Sequence, residues 1–441
     1  MMKHEGKVIL LQLNEISKYC LMKSLQKNPN LKHFKNVIQD WDFLQTESEK
    51  EYENLEPWIQ WVTVHTGKSF KEHGVFRLGD APRELKHPQV WEVLQSKGKK
   101  SCIFGSMNAH PGEMTDGIFF PDPWSKDNMA QPAELKPLWD FISRKVHSHS
   151  TSKLAKSDYI KAFLLTVKMH VSPATYVRIA KQILSQKLNN KKSWRLASYF
   201  DLMLTDMFCS VLKKREHDFY TLFLNSVAHY QHHFWRKFEP EKFNSGIECP
   251  DCAPEDDPVS FGYEMFDELL GKILKHVDIK KDKIIISSGL TQIPYTASEE
   301  SGGMTYYRLK KHAEFVEKAG LVGVTACPMM SRDWQVVGNV ESIDKAQAIL
   351  EAAHVDGEKL FNVRKENSEE LFIETLYTKG NSDSKTIIIN SIKFDFTEVF
   401  EKIAVKSGHH STNGFHWSIN YENKVVKESK HLKDLLSPLF A

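Results

Sequence analysis

Short apolar runs recur along the chain, each followed by a polar or glycine-containing turn and then by a helical stretch. Four of them have the length and composition of buried strands: Lys7–Leu13, Lys100–Phe104, Phe219–Leu224 and Lys283–Ser287. Strands that alternate with helices form mostly parallel sheets with helices on both faces. The pattern therefore predicts an α/β fold with a doubly wound, mostly parallel sheet, and a site just beyond the carboxyl ends of its strands.

Two stretches interrupt this alternation and predict insertions. Residues 134–215 have the pattern of helices rich in basic side chains, which suits either a solvated insertion or a surface for an anionic partner. Residues 295–382 alternate short strands with a helix, and we interpret them as a cap over the site. The predicted core then comprises residues 1–294 and 383–441, with Lys385–Asn390 returning the chain to the sheet.

Composition and charge limit the class of protein. The 441 residues are 41% hydrophobic and 26% charged, as in globular proteins, and 59 basic against 57 acidic residues give no electrostatic argument for nucleic acid as a partner. No stretch reaches the ~18 apolar residues of a membrane span, and the first apolar run is too short for a secretory signal. Six cysteines, mostly far apart in apolar contexts, predict reduced thiols and a cytoplasmic protein. The oligomeric state is not predicted.

Histidine, with 20 residues, is the unusual component. It is the commonest metal ligand and the usual acid–base group near neutral pH. Nine of the histidines lie in three segments that follow predicted strands or a glycine turn: residues 55–80 with His110, residues 225–235, and residues 408–416. A buried histidine can also be purely structural, satisfied by backbone carbonyls. Because loops at strand ends carry sites, we interpret the set as functional.

Five segments follow one another in a fixed order: Leu10–Glu15, Thr66-Gly67 with Glu72–Phe76, Asn225–Trp235, Ile286–Gly289 and His409–Gly414. Their order and approximate spacing resemble the alkaline phosphatase superfamily, especially its type I phosphodiesterase/nucleotide pyrophosphatase branch, which is related to the sulfatases. The resemblance covers nearly the whole chain and implies a doubly wound α/β fold with an inserted cap. Known members bind two metal ions, usually zinc, and transfer phosphoryl or sulfuryl groups through a Thr, Ser or modified Cys nucleophile.

The chain departs from that pattern at the positions that carry the chemistry. The resemblance matches the aspartate that ends the first strand with Asn14, next to Glu15. It puts the nucleophile at or near Pro57, where no hydroxyl stands, and the Asp-His pair of the fourth segment becomes Ser288-Gly289. The chain is therefore interpreted as a divergent member that lacks most of the standard metal ligands and the usual nucleophile.

The third segment leaves two registers open. Its aspartate matches Asn225, or Ala228 if His232 is the equivalent histidine. In a helix, His229 and His233 would share one face at ligand spacing. A two-metal site needs several carboxylates, so we do not expect one here. One divalent metal, zinc or manganese, held by two histidines with Glu15 or Asn225 stays open, and so does a site without metal.

Without metal, histidine and glutamate would perform acid–base chemistry, and Arg77 with the strand-end amides would hold an anion. Side-chain amides and tryptophans also suit a sugar- or nucleotide-shaped ligand. The candidate catalytic residues are Glu15, His65, His73 and His232; the candidate substrate-binding residues are Asn14, Trp58, Gln60, Trp61, Arg77, Asn108, Asn225 and Asn413; the candidate metal ligands are His229, His232 and His410.

Three functions follow as hypotheses. The leading one is an enzyme that hydrolyses or transfers a group on a phosphorylated or sulfated small molecule, a nucleotide sugar or a glycan intermediate. The second is a non-catalytic ligand-binding protein on the same fold, motivated by the missing nucleophile and ligands. The third is a metal-independent transferase in which Glu15, His65 or His73 deprotonates an acceptor hydroxyl.

Overall fold

The computed structural model describes residues 6–146, 154–188, 190–244, 246–247, 249, 252–329, 332–380 and 384–441. The strands are β1 (Val8–Leu13), β2 (Asp42–Glu47), β3 (Ser101–Phe104), β4 (Ile118–Phe120), β5 (Phe219–Leu224), β6 (Lys283–Ser287), β7 (Thr291–Pro294), β8 (Thr305–Leu309), β9 (Val324–Pro328), β10 (Asp333–Gly338), β11 (His354–Val355), β12 (Glu358–Lys359), β13 (Phe361–Asn367), β14 (Glu370–Thr375), β15 (Thr386–Ile389), β16 (Ile392–Asp395), β17 (Phe400–Val405), β18 (Gly408–Ser411) and β19 (Asn413–Ile419). The α-helices are α1 (Lys18–Lys27), α2 (Lys32–Asp40), α3 (Pro57–Thr66), α4 (Phe70–His73), α5 (Ala81–Glu84), α6 (Val90–Ser96), α7 (Lys136–Val146), α8 (Lys156–Lys168), α9 (Pro173–Leu188), α10 (Leu196–Leu212), α11 (Ser226–Phe238), α12 (Pro258–Leu274), α13 (His312–Lys318), α14 (Val340–Glu351), α15 (Phe396–Val399), α16 (Lys424–Ser429) and α17 (Ser437–Phe440).

Seven strands form the central sheet, in the order β2-β19-β6-β1-β5-β3-β4. β1 lies between β5 and β6 and pairs parallel with both, whereas β19 pairs antiparallel with β2 and β6. The central strands are mostly apolar and buried because helices cover both faces, as in β5, where every residue is buried. The predicted α/β class with a mostly parallel sheet is confirmed, and two predicted strands, β5 and β6, have the predicted bounds.

Successive residues of β1 face opposite sides of the sheet and so join different apolar cores. Leu10 packs in a core with Trp61 of α3 and Trp91 of α6. Leu11 lies on the other side, in a larger core that includes Phe208 of α10. The period of two in a strand explains this division. The sheet is therefore held between two helical layers, and its carboxyl edge is left for the site.

The stretch predicted to be helical and basic consists of α7, α8, α9 and α10 in the described residues. α10 is buried along most of its length and packs beneath the sheet. α8 and α9 lie further out, with few buried side chains. Within the described residues, no helix is both long enough and apolar enough to cross a membrane.

The cap has its own apolar core, built around Trp334 and Phe361 and extending to Ile387 and Phe400, past residue 382. The prediction that Lys385–Asn390 returns the chain to the central sheet is wrong. β15 instead pairs antiparallel with β11 and β16 in a small separate sheet. Its Ile387 and Ile389 are buried while Thr386 and Ile388 are more exposed, which is the pattern of a strand covered on one face only. The chain regains the central sheet at β19.

Candidate active site

The carboxyl ends of β1, β5 and β6 bring polar residues together at one edge of the central sheet. Asn14 and Glu15 follow β1, Asn225 follows β5 and Ser288 follows β6. The backbone amide of Glu15 donates to the carbonyl of Ser288 at 2.9 Å, and that of Asn14 donates to the carbonyl of Leu224 at 3.0 Å. Parallel pairing explains this arrangement, because neighbouring parallel strands end at the same edge.

Glu15 has a left-handed backbone conformation, with φ of 55°. In a residue other than glycine such a conformation costs about 1–3 kcal/mol and persists only where its surroundings hold it. The side-chain amide of Gln231 donates to the carbonyl of Glu15 at 2.7 Å and so holds this turn from the side of α11. Strain of this kind concentrates at functional sites, which draws attention to Glu15.

Three ionisable side chains meet in front of this edge, and we call Glu15, His232 and His410 the Glu–His–His cluster. Nε2 of His232 lies 3.0 Å from Oε2 of Glu15, and Nε2 of His410 lies 3.2 Å from the same oxygen. The two imidazole centroids are 4.9 Å apart. Helix α11 supplies His232 and β18 supplies His410, so the cluster joins three segments that are distant in sequence.

Charges within the cluster stabilise one another. Burial alone would raise the pKa of the Glu15 carboxyl, but the adjacent His410 and His232 hold it well below its usual range. Burial alone would lower the pKa of His410, whereas the carboxylates of Glu15 and Glu56 raise it. The side-chain amide of Gln292 also donates to Oε2 of Glu15, at 2.6 Å. The carboxylate is therefore ionised at neutral pH and suited to a cationic partner.

Of the two registers of the histidine-rich helix α11, the contacts of Glu15 favour the one that uses His232. His232 contacts Glu15, so Ala228 stands where the resemblance expects a carboxylate. The ring of His229, predicted as a metal ligand, instead contacts that of His233, with centroids 4.4 Å apart and planes tilted by 48°, and burial lowers its pKa to about 4. His229 is not among the ligand-type groups that converge on Glu15.

The orientation of His232 is set by its second ring nitrogen. Nδ1 faces the carbonyl oxygen of Gly408 at 3.3 Å. A Cβ on Gly408 would collide with the carbonyl of Gln231, so only glycine lets β18 approach α11 this closely. Nε2 of His232 is thereby directed to Glu15. Metal-binding histidines commonly have a backbone carbonyl on the other nitrogen in this way.

The Glu–His–His cluster fits a single divalent metal ion. One ligand atom from each of its three residues lies within 4.8 Å of the other two. Two histidines and one carboxylate are a ligand set that zinc uses in enzymes. Among the residues that the structure describes, no second group of three ligand-type side chains converges in this way.

Asn14 and Asn225, predicted to bind substrate, bind each other. The indole Nε1 of Trp61 donates to Oδ1 of Asn14 at 2.7 Å, and this fixes the amide because an indole can only donate. Nδ2 of Asn14 then donates to Oδ1 of Asn225 at 2.8 Å and to Oε1 of Glu15 at 2.9 Å. Asn14, Asn225 and Trp61 thus support the Glu15 carboxylate from behind.

His65 and His73, predicted as catalytic, have other partners. Nε2 of His65 accepts from the side-chain amide of Gln12 at 2.9 Å, and burial lowers its pKa to about 3. Nδ1 of His73 accepts from the backbone amide of Val75, and its Nε2 donates to the hydroxyl of Thr63, each at 3.1 Å. The structure does not bring either ring to the Glu–His–His cluster.

The other predicted amides hold loops. The side chain of Gln60 donates to the carbonyl of Asn54 at 2.6 Å. Oδ1 of Asn108 accepts from the backbone amide of Gly79 at 2.9 Å and so shapes the turn after α4. Asn413 lies exposed at the start of β19. These three are not among the residues that contact the cluster.

Trp58 is bound within the core, whereas Arg77 lies where the core meets the cap. Nε1 of Trp58 donates to the carbonyl of Phe76 at 3.1 Å. The guanidinium of Arg77 pairs with Glu366 and lies 4.1 Å from the ring centroid of Phe372, and both partners belong to the cap. Glu366 therefore balances the charge of Arg77, and the two contacts of Arg77 tie the cap to the core.

Glu56, which we did not predict, lies beside the cluster. It immediately precedes α3, whose first residue is Pro57, the expected nucleophile position. Its Oε2 is 3.8 Å from Nδ1 of His410. Burial, with a further contribution from Glu15, raises the pKa of Glu56. The signal that could have identified it is its position one residue before Pro57.

Lys406, also not predicted, is a partly buried cation near the same place. Its ammonium lies 4.5 Å from the ring centroid of Tyr295. Burial, with the nearby Arg332, lowers the pKa of Lys406. Arg332 is paired with Glu374, whereas the part of the chain that the structure describes gives Lys406 no carboxylate within salt-bridge distance. Lys406 could not be identified from the sequence, because its neighbour Arg332 lies 74 positions earlier in the chain and comes close only in the folded protein.

The mostly parallel sheet flanked by helices is that of the alkaline phosphatase superfamily, as the sequence predicted. Within it, the chain belongs to the type I phosphodiesterase / nucleotide pyrophosphatase family, whose model matches residues 22–428. Members of this family typically use divalent metal ions such as zinc. The comparison with curated proteins gave no match.

Several solved structures are similar over most of their length. Phosphonoacetate hydrolase from Sinorhizobium meliloti 1021, in complex with phosphonoformate, is 10% identical with a TM-score of 0.45, over 99% of this chain and 96% of that one. Murine ectonucleotide pyrophosphatase / phosphodiesterase 5 in complex with AMP is 12% identical with a TM-score of 0.42, over 99% and 95%. The human protein of the same name is 12% identical with a TM-score of 0.40, over 94% and 88%.

Proposed function

We propose that the protein is an enzyme that hydrolyses or transfers a phosphoryl group, or the related sulfuryl group, of a small molecule at the Glu–His–His cluster. The observation that carries the proposal is the convergence of Glu15, His232 and His410 at the carboxyl edge of the sheet, where open α/β sheets bind ligands. Membership of the type I phosphodiesterase family supports the reaction class. Nucleotide sugars and glycan intermediates fall within the proposed substrates.

The cluster would hold one divalent ion, zinc or manganese, through Nε2 of His232, Nε2 of His410 and a carboxylate oxygen of Glu15. Such an ion, when bound, polarises a phosphoryl oxygen and stabilises the negative charge that develops on it. Asn14 keeps Oε1 of Glu15 in place through its hydrogen bond at 2.9 Å. The chain's own contribution is thus a fixed carboxylate between two oriented imidazoles.

Since no hydroxyl stands at Pro57, we propose direct attack by water or by an acceptor alcohol, with Glu56 as the general base. Glu56 lies at the beginning of α3, 3.8 Å from Nδ1 of His410. Its carboxylate takes a proton from the attacking oxygen as that oxygen bonds to phosphorus. The bond from phosphorus to the leaving oxygen breaks, and the leaving oxygen takes up a proton from solvent. Water gives hydrolysis, and an alcohol gives transfer.

Lys406 supports an anionic substrate. A partly buried ammonium without a carboxylate partner is stabilised when an anion arrives, because the two desolvated charges then match. Its neighbour Arg332 adds positive charge, although that guanidinium is already paired with Glu374. We expect Lys406→Gln to raise KM about tenfold and to change kcat little. Lys402→Gln, at an exposed position of β17, is the matched control; equal KM values for both variants would contradict this role.

The metal and the cluster are tested together on the purified protein. Elemental analysis should find about one zinc or manganese per chain, and removing it with a chelator should lower the melting temperature because the ion binds only the folded state. Glu15→Gln, His232→Gln and His410→Gln should each lower turnover of a panel of phosphate and sulfate esters by about 10²–10⁴-fold.

The neighbouring histidines provide matched controls. His229→Gln and His409→Gln change the same helix and the same strand as the cluster residues, yet neither side chain contacts Glu15. They should keep turnover within about threefold of the unchanged protein. Full turnover in all three cluster variants, or an equal loss in the two controls, would refute the proposed site.

A second candidate is a non-catalytic ligand-binding protein on the same fold. The observation that favours it is the mutual hydrogen bond of Asn14 and Asn225, which closes off positions expected to hold metal. This candidate predicts no turnover on the whole ester panel, together with a ligand-dependent rise in melting temperature that Lys406→Gln abolishes.

A cytoplasmic location forms part of the proposal. All six cysteines lie in the described residues, where none of them forms a disulfide bond, as is typical of proteins in reducing compartments. Export of the protein with formation of a disulfide bond, measured by mass spectrometry of material from each cell fraction, would contradict it.

A further inference from the structure

The helical hairpin α8–α9 presents large apolar side chains to solvent. We define its apolar face as the exposed residues Tyr159, Ile160, Phe163, Leu164 and Val167 of α8, and Val177, Ile183 and Leu184 of α9. Ile160, Leu164 and Leu184 are each about 60% exposed. The five apolar residues of α8 are spaced at i, i+1, i+4, i+5 and i+8, so they form one continuous stripe along the helix. Such a concentration of exposed apolar surface marks an interaction site.

The face is not the result of a loosely attached hairpin, because the opposite sides of both helices are anchored. Ala162 of α8 and Thr175 of α9 are buried. The hydroxyl of Thr175 donates to Asp206 of α10, and Arg178 pairs with Glu268 of α12. The two helices are also joined by ring contact: the centroids of Phe163 and Tyr176 are 5.2 Å apart. The apolar face is therefore held outward by the fold.

Lysines surround the apolar face. Residues 154–188 contain six Lys or Arg and a single acidic residue, Asp158, although the whole chain carries a net charge of only +2. Asp158 is already paired with Arg144. The five lysines of the hairpin are exposed, and the ion pairs among the described residues include none of them: Lys156, Lys161, Lys168, Lys181 and Lys187. Positive charge is thus concentrated where apolar side chains are exposed.

We propose that the α8–α9 hairpin docks the protein on an anionic phospholipid membrane surface, with its apolar face in the interfacial layer and its lysines at the lipid headgroups. Apolar and aromatic residues flanked by lysines are typical of helices that lie in a membrane surface without crossing it. Long lysine side chains can reach the headgroups while their apolar stems stay near the acyl chains.

A second copy of the chain is a poorer occupant of this face. A twofold dimer would place the same surface against itself, and Lys161, Lys168 and Lys181 of one copy would then face the same basic surface of the other. Like charges brought together in this way are destabilising. An anionic bilayer supplies the opposite charge over the whole hairpin. The inference goes beyond the proposed reaction and does not depend on turnover.

Co-sedimentation of the full-length protein with vesicles tests the proposal. The unchanged protein should bind vesicles of phosphatidylcholine and phosphatidylglycerol in equal parts, bind pure phosphatidylcholine at least about tenfold more weakly, and lose affinity as salt rises. Replacing Ile160, Leu164 and Leu184 together by Ser should reduce binding about tenfold or more. Reversing Lys161, Lys168 and Lys181 to Glu should remove the dependence on phosphatidylglycerol.

The matched control carries the same kind of change on exposed apolar residues elsewhere, namely Val322→Ser, Val340→Ser and Val425→Ser. It should bind vesicles like the unchanged protein, and equal melting temperatures of all variants show that folding is intact. Absence of vesicle binding by the unchanged protein would overturn the proposal. So would a dimer in sedimentation equilibrium that the Ser variant of the hairpin dissociates, because the face would then belong to a second copy.

Discussion

Asn14 differs by one atom, a nitrogen in place of an oxygen, from the aspartate that the family resemblance expects at the end of the first strand. Trp61 donates to the remaining oxygen of Asn14, and the Asn14 nitrogen donates to Asn225 and Glu15. An aspartate could accept from Trp61 but could not donate to either neighbour. At the scale of single residues, the amide therefore moves the negative charge of the site from position 14 to position 15.

Asn14→Asp tests this exchange directly. The new carboxylate would lie next to Glu15 and Asn225 without a proton to donate, in a buried place, so we expect a loss of about 2–3 kcal/mol in the free energy of unfolding. Chemical denaturation measures it. We also expect no second metal ion in elemental analysis. A stable variant that binds two ions would show that position 14 had kept its ligand role.

His65 gives a prediction about pH. Its pKa is 6.5 in ordinary surroundings and about 3 in the fold. As pH falls below 6.5, His65 becomes protonated in the unfolded chain but stays neutral in the folded protein. The free energy of unfolding therefore decreases down to about pH 3, where His65 is protonated in both states. His65→Gln lacks this titration. Although it should be less stable at pH 7 by about 1–2 kcal/mol, its disadvantage should shrink and then reverse as pH approaches 4.

The same variant tests the predicted catalytic role of His65. With its ring bound to Gln12 inside the core, we expect turnover near neutral pH to stay within about threefold of the unchanged protein. A loss of a hundredfold would restore His65 as a catalytic candidate. His170→Asn, at an exposed position after α8, is the control for turnover and should match the unchanged protein.

At the scale of elements, the site depends on the unit β18–β19, which carries His410 to Glu15 and then enters the central sheet. β18 pairs with β7, and β19 pairs with β6. The two strands are separated by a single residue, so a shift in one moves the other. Gly414 lies where they meet, and a Cβ there would collide with the backbone carbonyl of Gly289.

Gly414→Ala should therefore affect both stability and activity. Because the collision is with backbone, the strand must move, and we expect a loss of about 3 kcal/mol in the free energy of unfolding together with at least tenfold lower turnover. Gly98→Ala is the matched control: Gly98 has a positive φ of 73° but nothing within 4 Å of a Cβ, so only backbone strain of about 1 kcal/mol is expected. Equal effects of the two changes would contradict the argument.

The elements around the site could be predicted because buried parallel strands are apolar runs bounded by polar turns, as β5 and β6 are. The residues that meet at the site were harder to predict. Contacts between distant segments determine three features of the site: the left-handed φ of Glu15, the hydrogen bond from Trp61 to Asn14, and the contact of His232 rather than His229 with Glu15. β15 was misplaced because a short apolar run does not reveal whether one face or two will be covered.

At the scale of the whole molecule, Arg77 links the core to the cap, each of which has an apolar interior of its own. It reaches from the core to Glu366 and Phe372 of the cap. The joint combines an ion pair with a cation–π contact, and the latter is worth about 1–2 kcal/mol when partly desolvated. The position of the cap on the core thus depends in part on Arg77, while each unit is held by its own apolar interior.

Arg77→Ala should loosen the cap without unfolding either unit. We expect faster hydrogen exchange in β13 and β14, unchanged exchange in the central sheet, and a higher KM if the cap contributes to binding. Arg364→Ala is the control, since Arg364 contacts the same Phe372 ring, at 4.8 Å, from within the cap. If the central sheet also exchanges faster, the core and the cap unfold as one unit and Arg77 is not a joint.

Gly289 has a historical consequence. Its φ of 67° disfavours any other residue, and a Cβ would meet the ring of Trp61 at 3.0 Å. Trp61 in turn is bound to Asn14. Consider an ancestor with a larger residue, such as histidine, at position 289. Once glycine had replaced it and Trp61 filled the space, a single mutation could not restore that residue, because Trp61 would have to be replaced as well. Positions 61 and 289 are therefore coupled, and reconstructed ancestors of this chain should carry a smaller residue at position 61 wherever position 289 is not glycine.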